Sequence, residues 1–92
     1  ESNYDPEMLA NGSYPRWLQK RIAGPGGHIS NRESAELLLK TASNRMKWAC
    51  LAHLSHDNNT PDLALRTHRT VLGDRMSLFV ATRHGPTGVL EV

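Results

Sequence analysis

The sequence predicts an α/β fold built on a parallel pair of short strands with helices packed on them. Residues 46–52 and 76–82 are apolar runs bounded by polar residues, each too short for an independent helix, and both read as strands. Between them, Thr60-Pro61 opens a helix, with Thr60 as N-cap and Pro61 at the first helical position, where its missing N–H is not needed. Strand, helix, strand in that order implies a right-handed crossover and parallel pairing.

Taken in order, Glu1-Ser2-Asn3-Tyr4-Asp5 is a polar start without a methionine, and it points to a segment that precedes it. Asp5-Pro6 reads as an N-cap and a first-turn proline for a short helix, which the turn dipeptide Asn11-Gly12 stops. Ser13-Tyr14-Pro15 opens a helix over 16–23. Trp17, Leu18 and Ile22 lie toward one face of it, Arg16, Gln19, Lys20 and Arg21 fill much of the rest, and Gly24 ends it. Ser30-Asn31-Arg32-Glu33 is a capping-box pattern for a helix to about Ala42, whose stripe Ala35, Leu38, Leu39 and Ala42 is assigned to the core. The helix after Thr60 runs to about Leu72, with Ala64, His68, Val71 and Leu72 along one side. Arg83 to Gly88 reads as a turn, and Val89 to Val92 as a short final strand.

Composition narrows the classes. The chain has 92 residues, enough for one small domain or part of a larger one, and a hydrophobic content of 38% makes its core thin. That points to a fragment that needs more apolar partner surface. A formal charge of +2 suits a phosphate-bearing substrate but is far from a nucleic-acid-coating surface. The single cysteine, Cys50, excludes a disulfide framework and reads as a small buried hydrophobe in a reducing compartment. No apolar run approaches the roughly 18 residues of a membrane span, and the expected location is cytoplasmic.

Two histidines stand where chemistry is placed. His53 follows the first strand directly, at the edge where open α/β sheets hold ligands and catalytic groups. It reads as a metal ligand, a general base, or a loop residue bonded to a carbonyl. His28 follows Gly24-Pro25-Gly26-Gly27 and precedes a helix N-terminus, as a catalytic or phosphate-contacting imidazole or as a turn residue.

Three patterns, Glu1-Ser2-Asn3-Tyr4-Asp5 with Met8-Leu9 behind it, Gly27-His28-Ile29-Ser30-Asn31, and Leu51-Ala52-His53-Leu54-Ser55 with Asn58-Asn59-Thr60-Pro61, together resemble the C-terminal half of a metallo-β-lactamase-fold hydrolase. The nearest branch is the bacterial YycJ/WalJ-like group, related to the tRNA 3′-processing ribonucleases and phosphodiesterases. The resemblance implies the C-terminal half of an αββα sandwich over 1–92, with short strands and three to four helices. It implies a dinuclear zinc hydrolase acting on phosphodiesters or nucleic acid, with His53 as a ligand to one zinc. It implies that His28 and Glu1 work together on the scissile phosphate and leaving group, and that Asn58, Asn59 and Thr60 brace the loop beneath His53.

The resemblance is incomplete. The family's main His-x-His-x-Asp-His zinc motif belongs to the N-terminal half and does not occur here, so the chain alone is expected to be inactive. A self-contained zinc site from His53, His56 and Asp57 is a further alternative, although structural zinc sites usually supply four ligands and favour thiolates. The competing functional class is a small non-catalytic α/β module whose Arg16, Lys20, Arg21 and Arg32 bind an anionic partner, or simply form a solvated helix face.

Overall fold

The computed structural model describes residues 1–42, 45–82 and 85–86. Its elements are α1 (Pro6–Asn11), α2 (Arg16–Ala23), α3 (Asn31–Thr41), β1 (Trp48–Leu51), α4 (Pro61–Leu72), β2 (Ser77–Thr82) and β3 (Gly85–Pro86). β1 and β2 are parallel, with Trp48 opposite Ser77 and Leu51 opposite Val80. The pairing follows from the crossover through α4.

Capping chemistry places the helix starts where the sequence puts them. The Asp5 carboxylate accepts from the Met8 N–H, the Thr60 hydroxyl from the Leu63 N–H, and Ser30 and Glu33 complete a reciprocal capping box. Two helix faces differ from expectation. In α3 the buried residues are Asn31, Ser34 and Ala35, while Leu39 is exposed. The stripe is rotated because Asn31 and Ser34 find internal partners, so polar side chains occupy part of the buried face. In α2 no residue is fully buried: Leu18 and Ile22 are half-buried, and Trp17 is 64% exposed. Trp17 lies about 100° around the helix from Leu18, which turns it away from the packed side.

The core is small. Leu51, Ala64 and Val80 form its contiguous cluster, with Leu54 and Leu65 packed against them, and Leu72 and Ala35 are also fully buried. α3 packs on α4 and α4 on β2. Ala35 and Ala64 are fully buried there, beside His68, whose Nδ1 meets the Ala64 carbonyl at 2.8 Å and whose Nε2 meets the Ser34 hydroxyl at 2.8 Å. A carbonyl only accepts, so Nδ1 carries the proton and Nε2 accepts from Ser34. Burial lowers the pKa of this imidazole, and it stays neutral.

β1 is shorter than the apolar run around it, and of its four residues only Leu51 is fully buried. Gly85–Pro86, part of the expected turn, pairs antiparallel with Ala81 and Thr82. The rest of that turn and the expected strand from Val89 to Val92 lie outside the described residues. Residues 2–5, which the hydrophobic pattern did not single out as a strand, run extended between two other segments. On one side Asn3 donates its N–H to the Ile29 carbonyl and Tyr4 accepts from the Asn31 N–H. On the other, Ser2 donates to Ala52 and Asn3 accepts from Ser55. Tyr4 and Ser30 form an isolated parallel bridge outside the β1–β2–β3 sheet. No helix among the described residues is long and apolar enough to cross a membrane.

Candidate active site

Threading residues 2–5 between 29–31 and 52–55 leaves Glu1 between the two histidines. Its Oε2 lies 2.6 Å from His53 Nδ1 and 3.2 Å from His28 Nδ1, and its Oε1 accepts from the Ile29 N–H at 3.0 Å. The imidazole rings meet edge-on, with centroids 5.2 Å apart. His28 and His53, separated in sequence by a whole helix, therefore lie side by side about one carboxylate.

The electrostatics are set by the carboxylate. Partial burial alone would raise the Glu1 pKa, but the Ile29 N–H and the hydrogen bonds from His53 and His28 outweigh it and hold the carboxyl down at about 2. An ionised carboxylate only accepts, so both Nδ1 atoms carry hydrogen. In the neutral rings, each Nε2 is then a lone-pair donor, and neither has a hydrogen-bond partner among the described residues. One carboxylate thus sets the tautomer of two imidazoles, the arrangement in which carboxylates commonly orient metal-bound and proton-transferring histidines.

Local backbone geometry holds each ring. His53 adopts φ +60°, the left-handed region, which is unusual for a residue with a side chain. Its carbonyl is held by the Asn3 side-chain amide at 2.8 Å. His28 is placed by the glycine loop. Gly26 has φ +77°, and a Cβ on Gly27 would meet the Ile22 and Arg21 carbonyl oxygens at 2.3 and 2.4 Å, so only glycine lets the loop fold back on the end of α2. The His28 N–H closes that turn on the Ile22 carbonyl at 2.8 Å.

Beneath the three residues lies a buried polar lattice. Asn31 and Asn59 exchange side-chain amide bonds of 2.8 Å, the Ser2 hydroxyl donates to Asn31, and Asn59 also donates to the Ser2 and Asn3 carbonyls. No fully buried side-chain nitrogen or oxygen among the described residues lacks a partner. Asn59 thereby ties together the segment after Glu1, the helix start after His28 and the loop after His53. Asn31 and Ser2 belong to this lattice with Asn59, whereas the family resemblance implies bracing by Asn58, Asn59 and Thr60 alone. The signal was there in the repeated Ser-Asn pairs, whose side chains favour just such non-helical bonding.

Glu1, His28 and His53 offer ligand atoms within 4.8 Å of one another, the one such group among the described residues. His53, His56 and Asp57 do not form one, and Asp57 instead accepts from the Tyr14 hydroxyl at 2.9 Å.

Comparison with known proteins bears on this geometry. The chain is 45% identical over 67 residues to exodeoxyribonuclease WalJ from two strains of Streptococcus pneumoniae, covering 73% of this chain and 25% of the relative. It is 39% identical over 75 residues to exodeoxyribonuclease YycJ of Bacillus anthracis, covering 82% of this chain and 28% of the relative. The chain belongs to the WalJ/YycJ family. It spans about a quarter of the length of these WalJ/YycJ relatives. No family model and no solved structure matches it.

Proposed function

We propose that this chain is the C-terminal part of a metallo-β-lactamase-fold metal-dependent hydrolase that cleaves phosphodiester bonds in DNA. The observation that carries the reading is the Glu1 carboxylate held between two imidazoles whose Nε2 atoms have no hydrogen-bond partner among the described residues. The donor chemistry fits a divalent metal, because a neutral imidazole with its Nδ1–H on a carboxylate is a favoured zinc ligand. His53 Nε2 would supply one ligand, and the remaining ligands would come from the part of the protein beyond this chain. When bound, such an ion supplies Lewis-acid polarisation of the phosphoryl group and lowers the pKa of water.

The residues of this chain perform the proton work. Glu1 stabilises the imidazolium that His28 becomes on taking a proton at Nε2. His28 then delivers that proton to the departing oxygen, so the leaving strand departs as an alcohol rather than an alkoxide. Glu1 also keeps His53 in the tautomer that presents Nε2. The shared carboxylate links the two tasks. The name exodeoxyribonuclease carried by the relatives supports DNA as the polymer.

The test is a pair of variants in the full-length protein. His53→Ala is expected to lower metal content and hydrolysis of DNA together. His28→Ala is expected to keep the metal and to slow turnover by roughly 10²- to 10⁴-fold, the scale of general acid–base catalysis. Metal loss in His28→Ala with retention in His53→Ala would reverse the two assignments. Full activity in both variants would leave the non-catalytic module as the better reading.

A further inference from the structure

We propose that the exposed face of α2 formed by Trp17, Lys20 and Arg21 carries the single-stranded part of a nucleic-acid substrate to the Glu1, His28 and His53 cluster. The inference rests on the nuclease reading above. It starts from an oddity of packing: α2 turns Leu18, Gln19 and Ile22 toward the protein and leaves its largest apolar side chain, Trp17, 64% exposed. Residues 17, 20 and 21 stand at i, i+3 and i+4, so the indole and the two cations share one stripe of the helix.

That stripe is charged with one sign. α2 contains no acidic residue, and neither Lys20 nor Arg21 forms a salt bridge among the described residues. An exposed indole flanked by cations is what a single strand needs, since bases stack on the ring and phosphates lie on the charges. A protein partner of ordinary composition would meet two unpaired cations there instead.

The stripe also leads to the site. Arg21 is in the last turn of α2, and the loop that follows folds back so tightly that Gly27 lies against the Arg21 and Ile22 carbonyl oxygens. His28 comes next and bonds the Ile22 carbonyl. A strand lying along Trp17, Lys20 and Arg21 therefore arrives at the imidazole assigned to protonate the leaving oxygen.

The experiment uses the full-length protein with its metal chelated by EDTA, so that a fluorescein-labelled single-stranded oligodeoxynucleotide is bound but not cut. Fluorescence anisotropy gives Kd against salt concentration. Lys20→Gln with Arg21→Gln is expected to flatten the slope of log Kd against log salt by about 1.4, near 0.7 for each single-strand phosphate that no longer meets a cation. Trp17→Ala is expected to weaken binding about 5- to 150-fold and Trp17→Phe to restore most of it, as stacking requires. With metal restored, kcat/KM on the oligonucleotide should fall relative to kcat/KM on thymidine 5′-p-nitrophenyl phosphate, which has no upstream strand. Arg66→Gln, an exposed charge on α4, is the control for net charge.

Unchanged affinity and slope in the α2 variants, with DNA cleavage intact, would overturn the surface and leave the nuclease reading standing. A Trp17→Ala variant that loses several degrees of Tm with no loss of affinity would also overturn it, because the indole would then be packing on the rest of the protein. Weakened binding in a protein that cleaves no DNA with any divalent metal would support the surface and remove the nuclease reading.

Discussion

Glu1 is the residue on which the most chemistry converges. Its ordinary pKa of 4.5 is lowered to about 2, with burial opposing the shift and the Ile29 N–H and two imidazoles overriding it. A depressed carboxyl contributes stability that is fully present above pH 4.5 and lost as pH falls toward 2. The Tm difference between the natural protein and Glu1→Gln is therefore expected to be constant above pH 4.5 and to shrink below it, followed by thermal unfolding at stepped pH. A difference that grows on acidification would contradict the bonding described. The same variant should keep both histidines but misorient them, and turnover should drop by roughly 10- to 100-fold, the scale on which groups that orient a functional histidine act. Gly27 makes a separate prediction. A methyl group there collides with two carbonyl oxygens, so Gly27→Ala must displace the loop that carries His28. Activity should fall sharply while the metal content of the full-length protein stays near normal, because His53 stands on a different element.

At the scale of elements, the site is a junction of three segments rather than a feature of one. Residues 1–5, the loop before α3 and the loop after β1 are joined by backbone bonds and by the Asn31–Asn59 pair. Replacing Asn59 by alanine removes a bond to each of two backbone carbonyls, the exchange with Asn31 and the acceptor for the Thr60 N–H. Each buried polar group left unpaired costs about 1–3 kcal/mol, so a loss of roughly 2–5 kcal/mol in unfolding free energy is expected by urea titration. Asn31→Ala should behave alike, and the double variant should be less than additive because the two side chains are one another's partners. Additivity would mean that the pair does not act as a unit. α4 and α3 meet more simply, with Ala35 and Ala64 both fully buried and a neutral His68 bonded to Ser34.

As a whole, the molecule has more polar organisation than apolar mass. Its central cluster is Leu51, Ala64 and Val80, while Leu37, Leu39 and Trp17 are exposed by 55%, 42% and 64%. A chain of this size buries a modest share of its surface, and stability on the order of a few kcal/mol is what such a core supports. Glu1, His28 and His53 lie within ligand distance of one another, yet their facing atoms are spent on each other, which leaves the Nε2 atoms of His53 and His28 as the two remaining donors. Stable zinc sites take three or four ligands. The 92-residue chain alone is therefore expected to show no stoichiometric high-affinity zinc by isothermal titration and no hydrolysis of bis(p-nitrophenyl) phosphate. One-to-one tight binding would turn the cluster itself into the metal site.

Much of this was legible in the sequence because it depends on short-range physics. Caps at Asp5, Ser30 and Thr60, the proline starts and the two apolar runs act over a few residues, so the helices and the parallel pair could be read directly. The three local patterns also carried the family, and with it His28, His53 and Glu1 as residues of interest. Periodicity misjudged the faces, since it assigned Leu39 to the core, grouped Trp17 with Leu18 and Ile22 on one face, and passed over Asn31 and Ser34, whose burial depends on partners that local pattern does not reveal. What only the tertiary structure decided is how the three patterns meet. Residues 2–5 have no strand-like alternation of their own, and they are extended because two neighbouring segments offer them hydrogen bonds on both sides. From that pairing alone follows the place of one carboxylate between two imidazoles, a contact spanning 52 positions that no local rule can supply.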